Sequence, residues 1–176
     1  TGLMLQAGIN MWVAILAGIL LGAGIGSLSG YLIAYQEFDF WVVTYAFMGV
    51  AQGLALVLSK GNTIPGFEER FRFFGTGKIF GVFVIIWITI AICIFMIYLN
   101  FKTKFGYNVF SVGGSAHSAQ LSGINVRHIY LSVFAISGTM AAISGVLLAA
   151  KSNSASPIGG AGYEFDAIAA VLIGGT

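Results

Sequence analysis

The sequence predicts an all-α protein, a polytopic bundle of transmembrane helices that forms part of a larger membrane protein. Three observations carry this expectation. Apolar residues make up 58% of the 176 residues and charged ones only 8%, where soluble domains carry about a quarter. Asp, Glu, Lys, Arg and His are absent from residues 1–36, 40–59, 79–101, 129–150 and 167–176. At ~20 residues per helical span, the first four of these runs each suffice to cross a bilayer. A soluble helical protein would need a polar face in each window. The chain starts at Thr1 and stops at Gly174-Gly175-Thr176 inside an apolar run, so further spans are expected at both ends.

The first span is expected over residues 9–35. Gly18, Gly22, Gly26 and Gly30 recur every fourth residue, with Gly24 beside them, and leave one helix face bare. Helices in lipid associate by close backbone contact along such faces. The tight connection at Glu37–Asp39 makes the first two spans expected antiparallel neighbours. The second span, residues 40–58, carries one strong polar group, Gln52, with Thr44 nearer its start. The third, residues 79–99, is rich in Ile and Phe and suits a lipid-facing helix. The fourth, residues 129–150, repeats a small-residue stripe as Ser137, Ala141, Gly145 and Ala149, the expected packing face of that helix. A further apolar segment starts at residues 164–176.

The loops are unequal. Residues 59–78 turn at Pro65-Gly66 and then alternate aromatic and charged residues, with Phe67, Phe71 and Phe74 on one helical face. Two readings stand for that face, an aromatic anchor at the headgroups and a docking surface for an external partner. Residues 151–162 are Ser/Gly-rich and lead into Glu164 and Asp166. These carboxylates either stand at a pore mouth, where a charge near the membrane core is costly, or cap a helix N-terminus. The loop of residues 101–128 is the most ordered-looking. Within it Ser115 suits an N-cap, residues 116–122 make about two helical turns, and Gly123 suits a left-handed stop. A short rigid helix outside the membrane is what a transporter needs if a separate motor is to push on it. Basic residues do not orient the chain, since Lys60, Arg70, Arg72 and Lys78 on one side face Lys102, Lys104 and Arg127 on the other.

Several activities lack residues to carry them. His117 and His128 have no Cys or carboxylate near enough to complete a metal site, and Cys93 lies mid-span without a disulfide partner. The GTGK run ending at Lys78 lacks the upstream Gly and the following Ser/Thr of a phosphate loop. The net charge of +2 is too small to argue for nucleic acid. No enzyme chemistry, cofactor or metal is therefore expected on this chain. Two rival classes remain as alternatives: an ion-coupled secondary transporter, which would want ionisable groups within the spans, and a passive channel, which would not need a shaped extramembrane helix.

The runs GGSAHSAQLSGINV and KSNSASPIGGAGYEFDAIAAVLIGGT, with SGYLIAY, VVTYAFMGVAQGLALVLSKGNTIPGF and FRFFGTGKIFG before them, resemble the permease subunit of ribose-type ABC importers. These are relatives of the branched-chain amino acid permeases. The resemblance implies monosaccharide import across the cytoplasmic membrane of a prokaryote. It implies a second permease chain, as homo- or heterodimer, a separate ATPase that binds the ATP, and an extracytoplasmic sugar-binding protein. Nucleosides or other small polar solutes remain alternative cargo. The resemblance makes Gly113, Gly114, Ser118, Ala119, Leu121, Ser122, Gly123 and Ile124 the cytoplasmic loop that couples to the ATPase, with Ala119 its contact residue. Loops 59–78 and 151–162 then face outward. Thr44, Gln52 and Asn153 are the candidate pathway residues, as polar groups able to replace sugar hydration. The chain departs from the family at His117, where an acidic residue is frequent, at Asp39-Phe40, where prolines usually enter the span, and at Gln52, where many members carry Arg.

Overall fold

The computed structural model describes residues 1–174 and is a helical membrane protein. Among the described residues its helices are α1 (Gly2–Gln6), α2 (Met11–Gln36), α3 (Phe40–Ser59), α4 (Glu69–Thr76), α5 (Val84–Lys102), α6 (Lys104–Gly114), α7 (Ala116–Leu121), α8 (Val126–Ser152) and α9 (Tyr163–Ile173). Four two-residue strands join them: β1 (Ile64–Pro65), β2 (Lys78–Ile79), β3 (Val82–Phe83) and β4 (Ser154–Ala155). Helices α2, α3, α5 and α8 are long and apolar enough to cross a membrane.

The centre of the fold is the antiparallel pair α2–α8, not the expected pair α2–α3. Helix α2 packs chiefly on α8 and only lightly on α3. The contact is backbone on backbone. A Cβ built on Gly138 would stand 2.9 Å from the Gly26 Cα, and one on Gly30 would stand 3.1 Å from the Leu131 Cα. A Cβ on Gly22 would collide with the Ala142 side chain, and one on Gly26 with the Phe134 carbonyl. Gly18 instead lies under the Thr1 side chain. The α8 face differs from the expected stripe. Leu131, Phe134, Gly138, Ala142 and Val146 meet α2, while Ser137, Ala141 and Gly145 are exposed, Ala149 is half-buried, and a Cβ on Gly145 would touch nothing. The two stripes share a four-residue spacing and differ by one residue, a rotation of about 100° around a helix with 3.6 residues per turn.

Two other boundaries differ from expectation. The third span begins at Val84, because residues 78–83 form the β2–β3 hairpin, pairing Lys78 with Phe83 and Ile79 with Val82. The fourth begins at Val126, where Asn125 Oδ1 accepts the His128 N–H at 3.2 Å and so caps α8. Asn10 and Asp39 cap α2 and α3 in the same manner, accepting from Trp12 N at 3.0 Å and Trp41 N at 2.8 Å.

The chain divides between two faces of the bundle. On one lie α1, α4, the β2–β3 hairpin, the β1–β4 pairing and the end of α8. Here β1 pairs antiparallel with β4, Ile64 opposite Ala155 and Pro65 opposite Ser154, which joins the 59–78 and 151–162 loops. The aromatic side of α4 is turned inward: Phe71 is 0% exposed, it meets Phe67 edge-on at 5.2 Å, and Phe74 meets Trp12 edge-on at 6.0 Å. A Cβ on Gly75 would run into the Ala150–Lys151 backbone, so α4 seats directly on the end of α8. Phe71 is therefore free neither to anchor at the headgroups nor to dock a partner, while Phe67 and Phe74 stay partly exposed. On the opposite side lie the α2–α3 turn, α6 and α7.

Candidate functional site

The site starts from the α5–α6 corner. Thr103 Oγ1 accepts the Gly106 N–H at 3.3 Å, and a Cβ on Gly106 would overlap the Asn100 carbonyl, so the corner closes only with glycine there. Helix α6 was not anticipated as an element, although Phe105, Val109 and Val112 have helical spacing and line its inner face. Gly113 and Gly114 are its last residues and are exposed.

One residue, Ser115, both ends α6 and starts α7. Its N–H donates to the Ser111 carbonyl at 3.2 Å, and its Oγ accepts the Ser118 N–H at 3.2 Å. The far end of α7 is equally defined. Gly123 is left-handed at φ +83°, its N–H donates to Gln120 O at 3.0 Å, and Ile124 N–H donates to Ala119 O at 3.0 Å. This paired arrangement, with an apolar contact between its ends, satisfies the carbonyls that a helix terminus otherwise leaves open.

The short helix has an inner and an outer side. Ala119 is 4% exposed and packs with Val112 and Ile129, with Phe105, Ala116 and Ile124 around them. It holds α7 to α6 and α8, and is not a surface contact residue as expected. Ser118, Leu121, Ser122 and Gly123 are exposed with His117 and Gln120, Leu121 at 78%. Between α7, the start of α8 and the α2–α3 turn lies a cleft of about 1140 Å³ lined by Tyr35, Glu37, Gln120, Asn125, Arg127 and Tyr130. Across it Arg127 approaches Glu37 at 3.6 Å and lies 5.9 Å from the Tyr35 ring centre. The sequence reading missed this pair, because nothing in the spacing of residues 37 and 127 brings them together; only the α2–α8 packing does.

The pathway candidates are not gathered into one site. Thr44 and Gln52 are half-buried on α3, and the Thr44 hydroxyl donates to its own helix, to Phe40 O at 2.8 Å. Asn153 is the left-handed cap of α8 at φ +51°, its carbonyl accepting from Gly66 N at 3.2 Å and its Oδ1 buried without a partner. Glu164 Oε2 accepts the Gly162 N–H at 2.9 Å at the start of α9, a capping role, while Asp166 is exposed in the first turn.

Comparison with known proteins gives a consistent result. The ribose import permease protein RbsC of Escherichia coli (strain K12) is 35% identical over 172 residues, covering 96% of this chain and 54% of the relative. The D-allose transport system permease protein AlsC of the same strain is 31% identical over 177 residues, covering 100% and 54%. The L-arabinose transport system permease protein AraH is 34% identical over 167 residues, covering 94% and 51%. The chain thus spans about half the length of the curated relatives it matches. No solved structure matches it at a significant level. Residues 1–176 match throughout the family described as branched-chain amino acid transport system / permease component, and the chain belongs to that family.

Proposed function

We propose that this chain is membrane-spanning machinery of an ATP-driven monosaccharide importer in the cytoplasmic membrane of a prokaryote, with ATP hydrolysed on a separate subunit that seats against α7. The observation that carries the reading is the two-sided α7: fastened inward through Ala119 and offering Leu121 and Ser118 outward. The cargo class is supported by the relatives, whose names specify ribose, allose and arabinose transport.

The mechanism follows from what α7 is tied to. A push on α7 passes through Ala119 to Ile129 in the first turn of α8. Helix α8 has 27 residues, a rod of about 40 Å at 1.5 Å per residue. It moves together with α2, because their glycines leave no side-chain layer to shear, and it carries α4 at its far end through Gly75. Rigid-body rocking of this unit exposes the path to one side and then the other. In this reading the α7 side is cytoplasmic, and α4 with the β1–β4 pairing faces the sugar-binding protein. A second permease chain, identical or different, completes the pathway, to which Gln52 and Thr44 of α3 are proposed to contribute polar groups. ATP is the partner's; this chain holds no cofactor.

The test is a crosslink in the full-length permease with Cys93 replaced. Leu121→Cys, on the outer side of α7, is paired with single cysteines on the candidate ATPase. The expected result is a crosslink whose yield changes with ATP. Labelling of Leu121→Cys by a membrane-impermeant thiol reagent from outside the cell, without any crosslink, would overturn the reading. Uptake that follows an ion gradient and not ATPase activity would replace it with an ion-coupled carrier.

A further inference from the structure

The β2–β3 hairpin presents its apolar side chains to the surroundings. Phe80 is 94% exposed at its tip, and Ile79, Val82 and Phe83 beside it are also exposed. The tip is a two-residue turn with positive φ at both central positions, Phe80 at +53° and Gly81 at +79°. Asn, Asp or Gly normally stands first in such a turn, and a bulky aromatic in the left-handed region is a rare exception. A residue poorly suited to its backbone, fully exposed and apolar, calls for a partner that offsets both costs.

The position of the hairpin identifies that partner. Phe83 is the residue immediately before Val84, and α5, long and apolar enough to cross a membrane, continues with exposed Ile86, Trp87, Ile90, Ile94 and Phe95. The apolar surface of the hairpin is thus continuous with the exposed apolar surface of α5, and lies at the N-terminal end of that span. Lys78 lies 5.1 Å from the Phe83 ring centre, which places a cation beside the aromatic groups of the hairpin. Aromatic rings with a flanking basic residue are the composition of the membrane–water interface. We propose that the β2–β3 hairpin inserts its Phe80 tip into the interfacial layer of the bilayer and anchors this face of the protein there. Phe71 of α4, fully buried, cannot serve that purpose. The anchor also bears on α4 directly, since Val84 N–H donates to Gly77 O at 2.9 Å and closes the hairpin onto the end of that helix. The depth of the tip therefore sets the height of α4 above the membrane.

The test reads the depth of nitroxide labels in the full-length permease reconstituted in lipid, from relaxation by oxygen and by a water-soluble nickel chelate. Native Cys93, mid-span and exposed, is the reference for the hydrocarbon core. Asn62→Cys, on the exposed loop before β1, is the reference for water, and every cysteine replacement is made with Cys93 changed to Ala. The expected oxygen-to-nickel ratio at Phe80→Cys lies between the two references and several-fold above that of Asn62→Cys. A second measurement separates anchoring from folding of the turn. Phe80→Asn suits the left-handed backbone better than the native residue, so it preserves the hairpin while removing the ring. With the label at Ile79→Cys, Phe80→Asn is expected to lower the ratio several-fold toward the water reference. A ratio at Phe80→Cys equal to that of Asn62→Cys, exclusion of both reagents as at a protein contact, or an unchanged ratio in Phe80→Asn would each overturn the proposal.

Discussion

Helices α2 and α8 meet backbone to backbone, whereas α3 and α5, comparably apolar and also long enough to cross a membrane, leave most of their large side chains open. Gly49 and Gly53 of α3 have nothing within 4 Å of a built Cβ, while Gly22, Gly26, Gly30 and Gly138 have no room for one. Hydrophobicity therefore puts all four helices in the membrane but chooses no partner for any of them, because lipid is as apolar as a leucine. Shape makes the choice. Where glycines on two helices face each other, van der Waals contact between backbones holds the pair; elsewhere the helix stays open to lipid or to further protein.

The largest expected effect breaks that distinction at a single methyl group. Gly26→Ala drives a Cβ into the Phe134 carbonyl and is expected to destabilise the full-length permease by about 2–3 kcal/mol as the helices separate. Gly24→Ala, two residues away with open space around it, should instead stabilise α2 by about 0.5–1 kcal/mol through the helix preference of alanine. Thermal unfolding of the two variants in one detergent measures the opposite signs. Equal shifts would mean that the α2 face is not set by glycine contact. Gly138→Ala against Gly145→Ala repeats the test on α8 and decides between the two four-residue stripes.

A second comparison sets the two sides of α7 against each other. Ala119→Leu overfills the pocket between Val112 and Ile129 and is expected to cost about 1–3 kcal/mol of stability. Leu121→Ala removes a larger side chain at a 78% exposed position and should change stability by less than about 0.5 kcal/mol. If α7 meets the ATPase, Leu121→Ala nevertheless weakens association of the two subunits, measured by co-purification. Loss of stability in Leu121→Ala with none in Ala119→Leu would reverse the assignment of the two sides.

What the sequence disclosed follows the same division between local and tertiary determinants. The membrane class and the four spans were legible because runs without charge need no knowledge of neighbours. Helix α7 was legible because Ser115 and Gly123 act on the backbone within a few residues. The α5 boundary was not, since Ile79–Phe83 has the same composition as the span and only the Phe80-Gly81 turn divides them. The α8 face was not, because Ser137–Ala141–Gly145 and Gly138–Ala142 are equally small and only contact with Gly26 distinguishes them. The direction of Ala119 was not legible either, as it depends on α6 folding back beneath α7.

Gly123 offers a sharper, smaller test of the local part. At φ +83° an alanine would be strained, so Gly123→Ala is expected to cost about 1 kcal/mol. A Cβ there meets nothing within 4 Å, so the cost is one of backbone conformation alone. Hydrogen exchange should report it as faster opening of the Ile124 and Gly123 amides, with protection in the middle of α8 unchanged. Faster exchange throughout α8 would show that the turn supports the span, and local and tertiary effects would no longer separate.

The smallest effect belongs to a contact on the α7 side that joins the α2–α3 turn to α8 through charge. Arg127 and Glu37 are 3.6 Å apart with side chains 58% and 80% exposed, and exposed pairs of this kind contribute about 0.2–1 kcal/mol at most. Arg127→Gln is therefore expected to lower stability by no more than about 0.5 kcal/mol, and by less still at high salt, where the screening length falls to about 3 Å at 1 M. Thermal unfolding at two salt concentrations measures both. The glycine contacts a few turns away are indifferent to salt, so the salt dependence isolates the ion pair from the packing that brings its partners together. If Arg127→Gln were as damaging as Gly26→Ala, the end of the pair would be held by charge, and the contrast between packed and open helices would need an electrostatic term. A small, salt-sensitive loss leaves backbone contact as the force that makes α2 and α8 one body.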